Sequence, residues 1–182
     1  DISEKTQEEL EDRLGKWGID LWHKSQGIHH GEVSSYHEAK SISSEHTFDE
    51  NKLDIAFLKS ELVRLTEKIA YELRQDGKVA GCVAVKIRYH DFETTSRQTT
   101  VPYTCADDEI IPVVKELFDK LYKKGEPVRL LGVRLSELTN DAIQTNLFDD
   151  VERKTDLYKA IDNVKNRFGK NLINRASSSK NK

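Results

Sequence analysis

At 182 residues, with 36% hydrophobic and 34% charged residues and a formal net charge of −3, the chain suits one sizeable core with flanking segments and is short for two full domains. This composition argues against a disordered chain, no apolar run approaches the roughly 18 residues of a membrane span, and no basic start leads into an apolar signal stretch. Cys82 and Cys105 lie far apart and outside any C-x-x-C arrangement, which disfavours a disulfide framework or a zinc ribbon.

These features set the expectation of a cytoplasmic protein without a membrane partner. The absence of methionine, with Asp1 first, adds the expectation that this is a piece of a longer protein. The net charge hides an uneven distribution. The first fourteen residues hold six acids and two bases, whereas Lys170 to Lys182 holds four bases and no acid, so the total decides little about a polyanionic partner.

From Lys5 to Gln26, Leu10, Leu14, Trp17, Leu21 and Trp22 recur at helical steps, Thr6 and Glu9 form a capping box, and Gly15 and Gly18 are expected to split the run into two short helices. The stretch from Gly27 to Ala39 has almost no apolar periodicity and reads as a linker. Residues 40–48, KSISSEHTF, set Ile42 and Phe48 on one side of a strand and Ser41, Ser43, Glu45 and Thr47 on the other. Ile55, Leu58, Leu62, Leu65, Ile69 and Leu73 then predict a helix from Asp54 to Gln75, stopped by Asp76 and Gly77.

From Val79 to Asp91, Val83, Val85, Ile87 and Tyr89 alternate with Ala84, Lys86, Arg88 and His90. A threonine-rich strand, Thr94 to Thr104, returns antiparallel after Asp91-Phe92-Glu93. Ile111, Val114, Leu117, Phe118 and Leu121 mark a second helix closed by Gly125 and Pro127, and Val128 to Leu138 is a strand with Leu131, Val133 and Leu135 inward. Each helix has one apolar stripe and each strand one apolar side. The order β-α-β-β-α-β therefore predicts an α+β fold: a four-stranded antiparallel sheet, two helices on one face, and helical segments flanking it at both ends.

The opposite face is expected to stay open and to present Ser41, Ser43, Thr47, Lys86, Arg88, Gly132 and Arg134. Arg97 and its threonine neighbours join according to where the hairpin turns. Arginine and hydroxyl side chains are the usual donors to phosphate oxygens, and such contacts hold a duplex without reading it. A domain that stacks RNA bases has the same strand and helix order but needs aromatics where this chain carries Lys86, Arg88 and His90.

Three strings in order, KSISSEHTF, VKIRYHDFETTSRQTT (85–100) and VRLLGVRLSEL (128–138), resemble the little-finger domain of Y-family translesion DNA polymerases of the bacterial polymerase IV type. The upstream LGKWGIDLWHKSQGI (14–28) is similar to the end of that family's thumb, which commonly reads L-x-K-x-G-x-x-L-W-x-x-A-x-G-I. The resemblance implies a little-finger sheet laid along the major groove of duplex or primer-template DNA, with Ser41, Ser43, Lys86, Arg88, Arg97 and Arg134 as backbone contacts. His46 stands where relatives often carry an arginine, so a permanent cation is missing there.

The segment Gln144-Thr145-Asn146-Leu147-Phe148 resembles the peptide by which bacterial polymerases dock on the sliding clamp. In such peptides a glutamine is held by hydrogen bonds and a Leu-Phe pair fills an apolar pocket; here these are Gln144, Leu147 and Phe148. The implied organisation is 1–27 end of thumb, 28–39 linker, 40–140 little finger, 141–149 clamp-binding peptide, and 150–182 a helix with a basic tail. Within that last segment Leu157, Ile161, Val164 and Phe168 predict an amphipathic helix that moves relative to the sheet.

No catalytic residue and no metal site is expected here. The family's paired palm carboxylates are absent. Asp107-Asp108-Glu109 is explained by helix capping and the helix dipole. His29, His30 and His37 lack a regular ligand pattern, and Cys82 and Cys105 read as core or semi-core residues. The fragment is thus expected to need no cofactor, to lack activity alone, and to belong to an enzyme whose palm would use Mg2+ for DNA-templated nucleotidyl transfer in DNA repair and damage tolerance. The alternative is a non-catalytic effector-binding or protein-interaction domain of the same architecture, with a pocket between sheet and helices or a dimer through the open face.

Overall fold

The computed structural model describes residues 1–29, 31–32, 38–140, 151–170, 172–173 and 175–178, and it divides into two compact units, Asp1–Glu38 and Ala39–Lys182. In the first, α1 (Gln7–Leu14) and α2 (Lys16–Ser25) are separated by Gly15 at φ +60°. The capping box is present: Glu9 N–H donates to Thr6 Oγ1 and Thr6 N–H donates to Glu9 Oε2, both at 3.2 Å. Gly18 does not break the chain a second time. It lies inside α2, where a Cβ would come within 2.0 Å of the Leu10 carbonyl oxygen, so this glycine is needed for close approach of the two helices.

The second unit contains β1 (Ser41–Lys52), α3 (Ile55–Gln75), β2 (Val79–Tyr89), β3 (Thr94–Thr104), α4 (Asp107–Leu121), β4 (Val128–Thr139) and α5 (Val151–Phe168). The strands form one sheet in the order β1-β4-β2-β3, antiparallel throughout, as the alternating patterns require. Asp54 caps α3 by accepting from the N–H groups of Ala56 and Phe57, and Gly77 at φ +66° turns the chain after it. Leu58, Leu62, Leu65, Ile69 and Leu73 of α3 pack with Ile110, Val114 and Phe118 of α4 against Val83, Val85, Ile87, Leu131, Val133 and Leu135 of the sheet. This apolar layer fills the space between helices and strands.

One buried acid ties the edge strand to the first long helix. Glu61 of α3, 2% exposed, accepts from His46 Nδ1 of β1 at 2.5 Å and from Arg64 Nε at 2.9 Å. Burial alone would raise its carboxyl. The hydrogen bond and charge of Arg64, followed by those of His46, outweigh burial and hold it below the usual value of 4.5. A carboxyl depressed in the folded state contributes stability that is present above about 4.5 and is lost as pH falls through the depressed value. Denaturation midpoints measured from pH 6 downward are therefore expected to fall less steeply for Glu61→Gln than for the wild type.

The helix α5 departs from its expected behaviour. It is held against α3 and α4 by polar groups and the buried Tyr158, with Ile161 and Val164 of its apolar stripe half-buried. Arg74 of α3, only 9% exposed, donates to Asp107 of α4 at 2.7 Å, to Asp162 of α5 at 2.8 Å and to the Cys105 carbonyl at 2.9 Å. Its guanidinium also lies 4.6 Å from the centre of the Tyr158 ring. Tyr158 donates to Asp108, Tyr71 donates to Asn166, and Lys154 pairs with Glu109 at 3.1 Å. Burial, then the bond to Asp108, pushes the Tyr158 phenol up to about 12.

The acids of α4 serve mainly this junction. The N-cap is Ala106 with no side-chain bond, so capping does not explain Asp107-Asp108-Glu109, although their first-turn position still suits the helix dipole. Leu157 and Phe168 remain 58% and 61% exposed. Arg74→Ala would strand Asp107 and Asp162 in a dry site, and a loss of about 3–5 kcal/mol is expected in urea titration of the chain.

Candidate nucleic-acid interface

The registers of the three strand pairs place side chains in rows that cross the uncovered face of the sheet. Reading from β1 through β4 and β2 to β3, the rows are Ser41-Ser136-Cys82-Thr100, Ser43-Arg134-Ala84-Gln98, Glu45-Gly132-Lys86-Ser96 and Thr47-Leu130-Arg88-Thr94. The apolar partners of these residues point the other way, because successive side chains on a strand alternate. Neighbouring rows lie about 6.6 Å apart along the strands, which puts the Arg134 row about 13 Å from the Arg88 row.

The three cations of this face are in different states. Arg134 is exposed and makes no ion pair or hydrogen bond among the described residues. Arg88 donates from Nε to Thr94 Oγ1 at 2.9 Å, which steadies the guanidinium and leaves its other N–H groups available. Lys86 donates to Glu45 Oε1 at 2.7 Å, across the bare backbone of Gly132. A Cβ on Gly132 would come within 2.9 Å of Glu45 Cγ, so the glycine leaves the trough in which this pair closes.

Ser41, Ser43, Lys86, Arg88 and Arg134 thus share the face on which they were expected. Arg97 does not. It pairs with Val85, whose side chain is in the core, and so lies on the helix side of edge strand β3. There it borders an open groove of about 540 Å³ lined also by Val101, Val113, Glu116, Leu117 and Lys120. The turn decides this: Asp91 Oδ1 accepts from the Glu93 N–H, Phe92 takes φ +68°, and the first pair after it is Arg88 with Thr94. That phase turns Thr94, Ser96, Gln98 and Thr100 outward.

His46 likewise lies on the helix side, against Glu61, and is not a member of the open array at any protonation state. The pairing of Glu45 with Lys86 was not anticipated. Its signal lay in the sequence, as an acid on an otherwise basic face, but the register is needed to put the two residues in one row.

Gln144, Leu147 and Phe148 lie outside the described residues, as do His30 and His37. Among the described residues no group of three or more His, Cys, Asp or Glu could hold a metal ion. Burial, the dominant influence, pushes the Cys105 thiol up, which does not make it an activated nucleophile. No helix among the described residues is long and apolar enough to cross a membrane.

Residues 39–147 match the impB/mucB/samB family C-terminal domain. The chain is similar to a DNA polymerase IV of Streptococcus pneumoniae serotype 4, with 38% identity over 137 residues that cover 75% of this chain and 39% of the relative. A DNA polymerase IV of Methanoculleus marisnigri is 35% identical over 150 residues, covering 82% of this chain and 42% of its own length. Another, from Desulfatibacillum aliphaticivorans, is 33% identical over 183 residues, covering 97% and 46%. The chain therefore spans less than half the length of these relatives.

Proposed function

We propose, from the premise that this chain belongs to the impB/mucB/samB C-terminal domain family and is the C-terminal region of a Y-family DNA polymerase, that its open sheet face grips the DNA backbone. The observation that carries this reading is the array itself: Arg134 and Arg88 set among Ser43, Gln98, Thr47 and Thr94 on the face that α3 and α4 leave uncovered. The roughly 13 Å between the two arginine rows is close to the major-groove width of about 12 Å, so each row can meet one of the two phosphate ribbons that border the groove.

In this reading residues 1–27 are the end of the thumb, 28–39 the linker and 40–140 the little finger. Residues 141–149 carry the peptide for a bacterial sliding clamp, and 150–182 a C-terminal helix and basic tail. DNA-templated nucleotidyl transfer past damaged bases, in a cytoplasmic enzyme, belongs to a palm outside this chain. The Mg2+ of such a palm would be held there, by the palm's paired carboxylates. The fragment alone is inactive and supplies grip and processivity. The rival reading, a pocket-bearing effector domain, has less support because core side chains fill the space between the central strands and the helices, and the groove between β3 and α4 is open to solvent at the sheet edge.

Each phosphate contact contributes about one unit to the dependence of log affinity on log salt. Arg88→Ala and Arg134→Ala are each expected to weaken binding to a primer-template duplex alike for all sequences and to flatten that slope by about one, whereas Arg97→Ala, on the other side of the sheet, leaves it unchanged. Unaltered slopes for both face arginines would refute the grip. The clamp reading is tested separately. A triple alanine variant at Gln144, Leu147 and Phe148 is expected to lose binding to immobilised sliding clamp and to keep its affinity for DNA, and undiminished clamp binding would refute the docking assignment.

A further inference from the structure

Between the two arginine rows lies a row that is electrically neutral. Lys86 is positioned for a phosphate, yet its ammonium is taken by Glu45 at 2.7 Å. The two strands that bear them are not neighbours; β4 runs between, and only the missing side chain of Gly132 lets the carboxylate and ammonium meet over it. We propose that Glu45 is an internal competitor of the DNA backbone, holding Lys86 closed over Gly132 so that this lysine's phosphate contact is conditional and reversible. The inference rests on the reading of the open face as a DNA grip.

The physical basis is the partial exposure of both groups, 37% for Lys86 and 41% for Glu45. Exposed ion pairs are weakly held and screened by salt, so a phosphate can displace the carboxylate at small cost. Displacement leaves Glu45 unpaired on a surface that faces polyanion, which opposes binding and favours return of the lysine. Ser43, Thr47, Ser96 and Gly132 near Glu45 carry no charge, and Arg134, its diagonal neighbour on β4, makes no ion pair with it, so Lys86 is the one cation that Glu45 holds among the described residues. A lysine with an alternative partner at hand can release one phosphate and take the next as the duplex moves, without passing through an unpaired state. Arg134 and Arg88 have no such carboxylate among the described residues, so they form the constant part of the grip and Lys86 the part that can be exchanged.

The test is a double-mutant cycle on the full 182-residue chain, read by fluorescence anisotropy with a fluorescein-labelled primer-template duplex. Glu45→Gln keeps the shape and removes the charge. It is expected to tighten binding roughly two- to fivefold at about 50 mM salt and to steepen the salt slope by about one, because Lys86 then meets phosphate unopposed. In a Lys86→Ala background the same Glu45→Gln change is expected to give a much smaller gain. Equal tightening in both backgrounds would reduce Glu45 to a general repulsive charge and overturn the inference. So would unchanged affinity on Glu45→Gln while Arg134→Ala still weakens binding. If Arg88→Ala and Arg134→Ala both leave binding untouched, it is the grip itself that fails, and this inference falls with it.

Discussion

Everything on the open face of the sheet depends on one constraint, the two-residue alternation of β2 and β4 held in phase across the middle of the sheet. Val83, Val85 and Ile87 pair with Leu135, Val133 and Leu131, all of them at most 1% exposed beneath α3 and α4. Because that apolar layer cannot slip by one residue without turning its whole apolar set to water, the alternate residues are fixed outward with equal force. The arginines are displayed by the burial of their neighbours. The array needs no dedicated scaffold beyond the core itself.

That face is graded in its electrostatics. Arg134 stands alone, Arg88 leans on a threonine and Lys86 is neutralised by an acid, all within three neighbouring rows. Under the proposed reading, a set of contacts of unequal strength would suit a domain that holds a duplex of any sequence and still lets it pass. Backbone contacts supply the first property and weak, exchangeable ones the second.

The helical side follows another logic. α5 is attached through Arg74, Asp107, Asp162 and the Tyr158–Asp108 bond, a junction in which charges meet at low exposure. Such a junction is specific because any missing partner leaves an uncompensated charge, and it stabilises less than an apolar contact of the same size would. It also explains how a helix whose apolar stripe leaves Leu157 and Phe168 exposed can nonetheless be held. The polar face adds Tyr158 and Lys154 as partners for Asp108 and Glu109 at the start of α4, while Asp107 is held by Arg74 of α3.

The sequence by itself determined the strand and helix order, the apolar stripes of α3 and α4, and the inward residues of β2 and β4. These follow from local periodicities of two and 3.6 residues, which any short window displays. It also placed Ser41, Ser43, Lys86, Arg88 and Arg134 on one face, since parity along a strand is a local property. Only the tertiary structure decided the side taken by Arg97, which depends on the phase of the Asp91-Phe92-Glu93 turn, and the docking of α5, which depends on Arg74 meeting acids 33 and 88 residues away. The pairing of Glu45 with Lys86 across Gly132 belongs to the same class. The number of residues between two charges does not reveal whether they meet, because separation in space is set by how strands register, and register is settled by the packing of the entire sheet against its helices.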